Sequence, residues 1–401
     1  MTLTEIVPPV TVKRHHLRDI RTRNRTRLLR LLFSNGALSR HELNERTGLT
    51  LASISRITKE LISEGICYEG DPYRTDKSLG RRRVEICLKP DGATVVAICM
   101  SAYSWQVNVT NLLGNVCHKQ NIPTKVTRNP DATIQFIGEY INTLIANDEV
   151  QRDRLHGVSV AIAGSVDYQS GELLGTPLLD WHDVAVKEEL GAVLGLPVRM
   201  HSIADALCLS YINGPGDELD SKQSLFLVHT AIGMGASLAM NGQIVGRRGG
   251  EGWIENICVP EFGSGPHRPI RLAEISSGRA ILAAMEGNTK NTRRTQLNAA
   301  SRLQSVVEAA NQSSKKEQSL FVSAGRALGR SLVGLTAAYL PDRIVLAGPL
   351  TEAQVYCDAV VESFQEVARD TDSERIKITT NRTTYIQAAQ NLALSEYIYS
   401  S

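Results

Sequence analysis

"SRHELNERTGLTLASISRITKELISEG", residues 39–65, reads as two helices and the turn between them. Ser39 stands three residues before Glu42, the spacing at which a hydroxyl and a carboxylate cap the first turn of a helix reciprocally. Leu43 faces inward. Gly48 permits a sharp turn. Beyond it Ile54, Ile57, Leu61 and Ile62 recur at the period of a helix with one apolar face, and Gly65 closes it. Upstream, residues 24–35, "NRTRLLRLLFSN", put Leu28, Leu31 and Leu32 on one stripe among arginines, and Gly36 ends that helix. Three short helices with a glycine turn before the last predict a helix-turn-helix.

The outer face of the third helix carries Thr50, Ala52, Ser53, Ser55, Arg56 and Lys59. It is short, polar and basic, and such a helix can enter a major groove with its N-terminal residues at base edges. Two strand-like pieces follow, Ile66–Glu69 and Val84–Leu88, around "GDPYRTDKSLGRRR". That is a hairpin with a basic tip, the wing of a winged helix. Arg81, Arg82 and Arg83 at the tip suit phosphates or a narrow minor groove. A three-helix bundle with a protein partner is the alternative, and it predicts more acid on the third helix.

Charge placement supports the nucleic-acid reading. The chain of 401 residues has a net charge of only +2, but residues 1–83 hold 17 Lys and Arg against 9 Asp and Glu, and the remainder 27 against 33. Such asymmetry marks a nucleic-acid-binding segment; a merely solvated basic face is the other reading. The apolar content of 42% is enough for more than one core. No run reaches the roughly 18 apolar residues of a membrane span, and the N-terminus lacks a signal-type apolar core. A cytoplasmic protein with no membrane contact is expected. Cys67, Cys87, Cys99, Cys117, Cys208, Cys258 and Cys357 are scattered without a C-x-x-C pair, so reduced thiols are expected rather than disulfides or a Cys-rich zinc site.

From Thr94 strands and helices alternate. Residues 94–100 are apolar and β-prone, two more strands flank Gly114, and a helix fits 131–147. "GVSVAIAGSV" is a buried strand, "SLFLVHTAIGMGASLAMNG" reads as strand, loop, strand, and a helical region from about 296 to 340 precedes the strand "DRIVLAGPL". Hairpins first, then crossovers, repeated in two halves, indicate an α/β protein of two lobes.

With "GLPVRMHSIADAL", "GMGASLAMNGQIVG" and "LGRSLVGLTAAYLPDRIVLAGPL" added to the segments above, the order and spacing resemble the ROK family (repressors, open reading frames and sugar kinases), in the branch with an N-terminal winged helix. The resemblance covers nearly the whole chain. It implies an actin-like, RNase H-like sugar-kinase (ATPase) fold of two lobes behind a DNA-binding head. The expected division is a basic arm over 1–20, the winged helix-turn-helix over 21–88, a small lobe over 89–200 with 385–401, and a large lobe with an oligomerisation surface over 201–384.

Phosphoryl transfer needs a cradle for phosphates, a metal and a base near the acceptor hydroxyl. The family's first phosphate loop carries an Asp and two glycines; here it is "CMSAYSW", residues 99–105, with neither. The family's catalytic Asp falls on Ile203. Asp205 lies two residues on and reads as a helix-start cap. Trp253 and Asn256 replace the sugar-binding Glu and His, with Glu251 offering a shifted pairing, and Leu178 replaces a sugar-contacting Asn. The family's zinc cysteines are missing from "PEFGSGPHRPIRLAE", where His267 stands alone. The glycine loop at 229–242 matches the family's second phosphate loop in shape, but without the first loop or the base it reads as an inherited fold element.

The expectation is therefore a transcriptional regulator, a repressor of carbohydrate-related genes, with no catalytic residue, no metal and no cofactor. Its partners would be a double-stranded DNA operator with an inverted repeat, a second copy or a tetramer of the chain, and a sugar or sugar-derivative effector. If the family alignment holds, Asp180, Ser202, Asn256 and Glu274 line the effector crevice. A sugar kinase with an appended DNA-binding domain, and a regulator controlled by a protein partner, are the alternatives.

Overall fold

The computed structural model describes residues 16–71, 84–167, 170–176, 181–213, 223–245, 254–259, 270–286, 298–312 and 314–399. The chain divides into two compact units: residues to Gly92 with the segment from Glu396, and Ala93–Ser395.

The first unit is the head. It runs α1 (His16–Asn35), β1 (Leu38–Ser39), α2 (Arg40–Thr47), α3 (Leu51–Ser63), β2 (Cys67–Glu69) and β3 (Glu85–Leu88), with the strands ordered β1-β3-β2 in an antiparallel sheet. The reciprocal cap at the start of α2 is formed: the Ser39 hydroxyl accepts from the Glu42 amide, and the Ser39 amide donates to Glu42 Oε2 at 2.8 Å. Gly48 ends α2 at φ 66°, left-handed backbone where a side chain would be strained. Leu28, Leu29, Leu32, Leu43, Ile54, Ile57 and Leu61 are buried. Leu29, not Leu31, completes the α1 stripe.

Two expected boundaries shift. Residues 16–20 are helical, so α1 takes the last five residues of the expected arm, and residues 1–15 lie outside the described residues. The small lobe does not take all of 385–401. The helical turn Ser395–Tyr399 carries Tyr399 to a ring contact with Phe33 of α1, centroids 5.3 Å apart, and Tyr399 is buried there. Apolar burial against α1 is why the last residues join the head.

The second unit repeats one topology. Its first half comprises β4 (Thr94–Met100), β5 (Trp105–Asn111), β6 (Val116–Asn121), α4 (Pro130–Ala146), β7 (Leu155–Ile162), the short pair β8 (Ser165–Val166) and β9 (Leu173–Gly175), α5 (Val186–Leu194) and β10 (Val198–Ser202). The sheet order is β10-β7-β4-β5-β6: β4, β5 and β6 form an antiparallel meander, while β7 and β10 join parallel through crossovers. The first sheet thus ends at Ser202, two residues beyond the expected lobe boundary.

The second half comprises α6 (Ile203–Asn213), β11 (Leu225–Thr230), β12 (Met234–Met240), β13 (Gln243–Ile244), β14 (Cys258–Val259), β15 (Ile270–Arg271), α7 (Ala273–Ser276), α8 (Gly278–Glu286), α9 (Ala299–Asn311), α10 (Lys315–Thr336), β16 (Arg343–Ala347), α11 (Gln354–Ala368), β17 (Lys377–Asn381) and α12 (Tyr385–Leu394). Its sheet order, β13-β12-β11-β16-β17, again joins an antiparallel meander to two parallel strands. Helices α6 and α12 pack on each other, α12 also on β4 and β7, and α6 also on β11 and β12. A cleft between the two sheets results.

The large core under the second sheet depends on close approach of α10 and α11. A side chain at Gly329 would run into Ser363 Oγ and the Val360 carbonyl of α11, whereas Gly334 on the same helix faces open space. Gly329→Ala should therefore destabilise the protein by about 1–3 kcal/mol through overpacking. Gly334→Ala should stabilise it by about 0.5–1 kcal/mol through helix propensity. Thermal or urea melts of the two variants check the opposite signs.

Candidate functional site

The head presents α3. Thr50 is its N-cap: the hydroxyl accepts from the Ser53 amide at 3.2 Å and donates to Ser53 Oγ at 3.0 Å. These two hydroxyls are engaged with each other; Thr50, Ala52, Ser55, Arg56 and Lys59 of the predicted face are exposed, and Ser53 is half-buried. Four arginines of the head are already committed. Arg21 pairs with Glu60, Arg25 with Glu64 and Arg40 with Glu69, and Arg27 donates to the Thr47 carbonyl at 2.6 Å. Arg56 and Lys59 have no ion-pair partner among the described residues. The face is thus an uncompensated pair of cations, while the acids Glu60 and Glu64 are neutralised by α1. Arg81, Arg82 and Arg83 lie outside the described residues.

The body holds a cavity of about 470 Å³ between its sheets, bordered by Ser101, Ile203, His229, Glu255, Asn256 and Arg279 among others. The glycine loop of residues 231–235 forms one wall, and part of its backbone is already engaged. The Met234 amide donates to Glu255 Oε1 at 2.5 Å, the Ala231 amide to the Gly233 carbonyl, and the Gly278 amide to the Ala231 carbonyl. A loop of this kind would offer its amides to a phosphate; here a carboxylate of the same chain has taken the Met234 amide. Opposite it, the β4–β5 turn closes on Ser101, whose hydroxyl accepts from the Tyr103 and Ser104 amides at 3.2 and 3.0 Å.

A second cavity of about 640 Å³ adjoins the first, bordered by Gly348, Glu352, Asn381 and Arg382. Tyr103 and Tyr385 border both cavities and form the wall they share, their rings edge to face at 5.9 Å. The Tyr385 hydroxyl and His229 Nε2 share a hydrogen bond of 2.6 Å.

The four expected effector residues fare differently. Asn256 lies on the cavity wall, where its Oδ1 accepts from Arg271 at 3.1 Å. Ser202 does not border the cavity. It is 3% exposed and caps α6, accepting from the Asp205 amide at 3.1 Å. The expectation that Asp205 is the cap is corrected accordingly: its carboxylate instead accepts from Ser237 Oγ of β12 at 2.5 Å. Glu274 is exposed on α7, away from the cavity. Asp180, like Leu178, Trp253, Glu251 and His267, lies outside the described residues. Ile203 is 1% exposed, an apolar side chain where the resemblance places the catalytic Asp. Among the described residues no group of three or more His, Cys, Asp and Glu could hold a metal ion.

Sequence reading missed Glu255, Arg279 and Tyr385. Glu255 meets a loop 21 residues away, and Tyr385 meets His229 across 156 residues. No local spacing signals either contact. Arg279 Nε is buried without a hydrogen-bond partner at the cavity.

The pattern of the ROK family matches residues 95–391, and that of a winged helix-turn-helix DNA-binding domain matches residues 21–66. The chain belongs to the ROK family. It is 26% identical over 355 residues to the DNA-binding transcriptional dual regulator NagC of Escherichia coli K12, covering 85% of this chain and 84% of that protein. It is 25% identical over 236 residues to a putative xylose repressor of Caldicellulosiruptor sp. Rt8B.4, covering 58% and 57% of the two chains. The crystal structure of a ROK family transcriptional regulator, a homolog of the Escherichia coli MLC protein, superposes with a TM-score of 0.71 at 20% identity, covering 94% of this chain and 97% of that one. The fold is therefore a winged helix-turn-helix joined to the actin-like ROK architecture. No helix among the described residues is long and apolar enough to cross a membrane.

Burial pushes the His229 imidazole down from 6.5 to about 4. Folding therefore favours the neutral ring. The unfolded chain takes up a proton near pH 6.5 and the folded one only near pH 4, so stability is lost as pH falls through that window, by up to about 3 kcal/mol. Urea titrations at stepped pH should show this acid limb, and His229→Gln should flatten it.

Proposed function

We propose that this protein is a DNA-binding transcriptional repressor of carbohydrate-related genes, acting in the cytoplasm. The observation that carries this reading is the exposed face of α3, where Arg56 and Lys59 have no counter-ion among the described residues, on the second helix of a helix-turn-helix. The named relatives, a transcriptional regulator and a xylose repressor, support the regulatory role and the carbohydrate link. One winged helix reads few base pairs, so a homodimer or a dimer of dimers on an inverted repeat supplies the selectivity.

The ROK domain serves as a non-catalytic sensor in this reading. Ile203 cannot abstract a proton, Asp205 is spent on Ser237, and Glu255 occupies the loop amide that a phosphate would need. What remains is a cavity of about 470 Å³ with polar groups converging on it, the size and chemistry of a small-ligand site. Asn256 suits a sugar hydroxyl. The unpartnered guanidinium of Arg279 suits an acidic substituent on a sugar derivative.

Genomic footprinting of the purified protein identifies the operator and tests the reading; failure to protect any specific sequence would overturn it. Arg56→Ala should weaken operator binding by about 1–3 kcal/mol, the worth of a bidentate base contact, and relax selection at one position. Equal loss on operator and random DNA would reduce Arg56 to a phosphate contact. A ligand screen on the complex then finds the effector. Replacing Asn256 and Arg279 together by Ala should abolish ligand-induced release and leave DNA affinity intact; unchanged release would favour control by a protein partner.

A further inference from the structure

The buried side of α3 is complete without its first residue. Ile54, Ile57, Thr58 and Leu61 fill that side, none more than 2% exposed, while Leu51 is 49% exposed. At about 100° per residue, Leu51, Ser55, Lys59, Ala52 and Arg56 fall in that angular order over an arc of roughly 140°. The arc opposes the buried side. It has an apolar margin at Leu51, a hydroxyl and an ammonium in the middle, and a guanidinium at the other margin. No acidic residue interrupts it: α3 carries none between Leu51 and Lys59.

A leucine on a solvated helix start adds nothing to the core, and it sits at the end of the helix that reaches base edges in a major groove. That groove presents a single apolar group, the C5 methyl of thymine. The unpaired Arg56 and Lys59 on the same arc match a groove walled by phosphates and mismatch an apolar protein surface. We infer that Leu51, with Ala52 beside it, reads a thymine methyl in each operator half-site, so that α3 specifies thymine at one margin and a hydrogen-bonding base at the other. This rests on the DNA-binding reading above and adds the base that the half-site must contain.

The test uses the full-length protein and an operator selected from random duplexes. Each thymine is replaced singly by deoxyuridine, which removes the methyl and keeps every hydrogen-bonding group. At one position per half-site this should weaken wild-type binding about four-fold, the worth of one buried methyl. Leu51→Ala removes the contact from both subunits, so it should bind the thymine operator as weakly as the wild type binds one with uracil in both half-sites, and should not distinguish thymine from uracil. If every uracil operator binds the wild type as tightly as its thymine parent, the inference fails while the DNA-binding reading stands. The uracil series needs no variant, so it decides even if Leu51→Ala folds poorly. Loss of self-association in Leu51→Ala with no uracil effect would assign the face to a second copy and overturn the inference. Selection of no sequence at all would remove the DNA-binding reading on which it rests.

Discussion

The hydrogen bond between His229 Nε2 and the Tyr385 hydroxyl holds the centre of the body together. His229 is the penultimate residue of the central strand of the second sheet, and Tyr385 starts α12, which packs on β4 and β7 of the first sheet. One contact therefore links the two halves of a duplicated fold at their cleft. Both groups are buried, so the bond is stronger than its surface equivalent, and an unpaired partner there would be costly. Burial keeps the imidazole neutral, which makes the link electrically silent at physiological pH. Tyr103, edge to face on Tyr385, extends it into a wall.

That wall and Glu255 together explain how an architecture shared with sugar kinases is compatible with a regulator. A transferring phosphoryl group must pass from a nucleotide compartment to a sugar compartment in line with the acceptor. Here the two cavities meet at aromatic rings. The Met234 amide, which a phosphate would need, is bonded to an internal carboxylate. The cost of leaving that amide empty is avoided, so the loop keeps its shape without a ligand. A side chain at Gly233 would run into Glu255 Oε1, so packing against that carboxylate accounts for the glycine.

Local rules were readable in the sequence, and long-range ones were not. The Ser39–Glu42 cap, the turn at Gly48 and the α3 period at Ile54, Ile57 and Leu61 depend on residues within one or two turns, and each appears in the structure as spaced. The alternation of strands from Thr94 likewise follows from period and length. Errors fall where a choice between equivalent local options is made by tertiary contact. Leu29 rather than Leu31 is buried because the α1 stripe turns toward the sheet of the head. Ser202 rather than Asp205 caps α6 because Ser237 claims the Asp205 carboxylate from another strand. Glu274 follows the alignment but not the cavity. The residues that shape the cavity most, Glu255, Arg279 and Tyr385, come from separate segments, and only the folded chain brings them to one place.

Charge distribution then separates the tasks of the two units. Up to residue 83 the chain has 17 basic and 9 acidic residues, and beyond it 27 against 33. Within the head, three arginines are neutralised by Glu60, Glu64 and Glu69. These pairs fix α1 against α3 and brace the strand beside it, and they withdraw acid from the exposed face. Arg56 and Lys59, on the outer side of α3, have no ion-pair partner among the described residues. The excess of basic residues that attracts a duplex lies in the head, and the body is net acidic. The fold therefore keeps the attraction for DNA on a small surface whose shape is set by caps and apolar packing. In the proposed reading, sequence selection falls to a few side chains of α3.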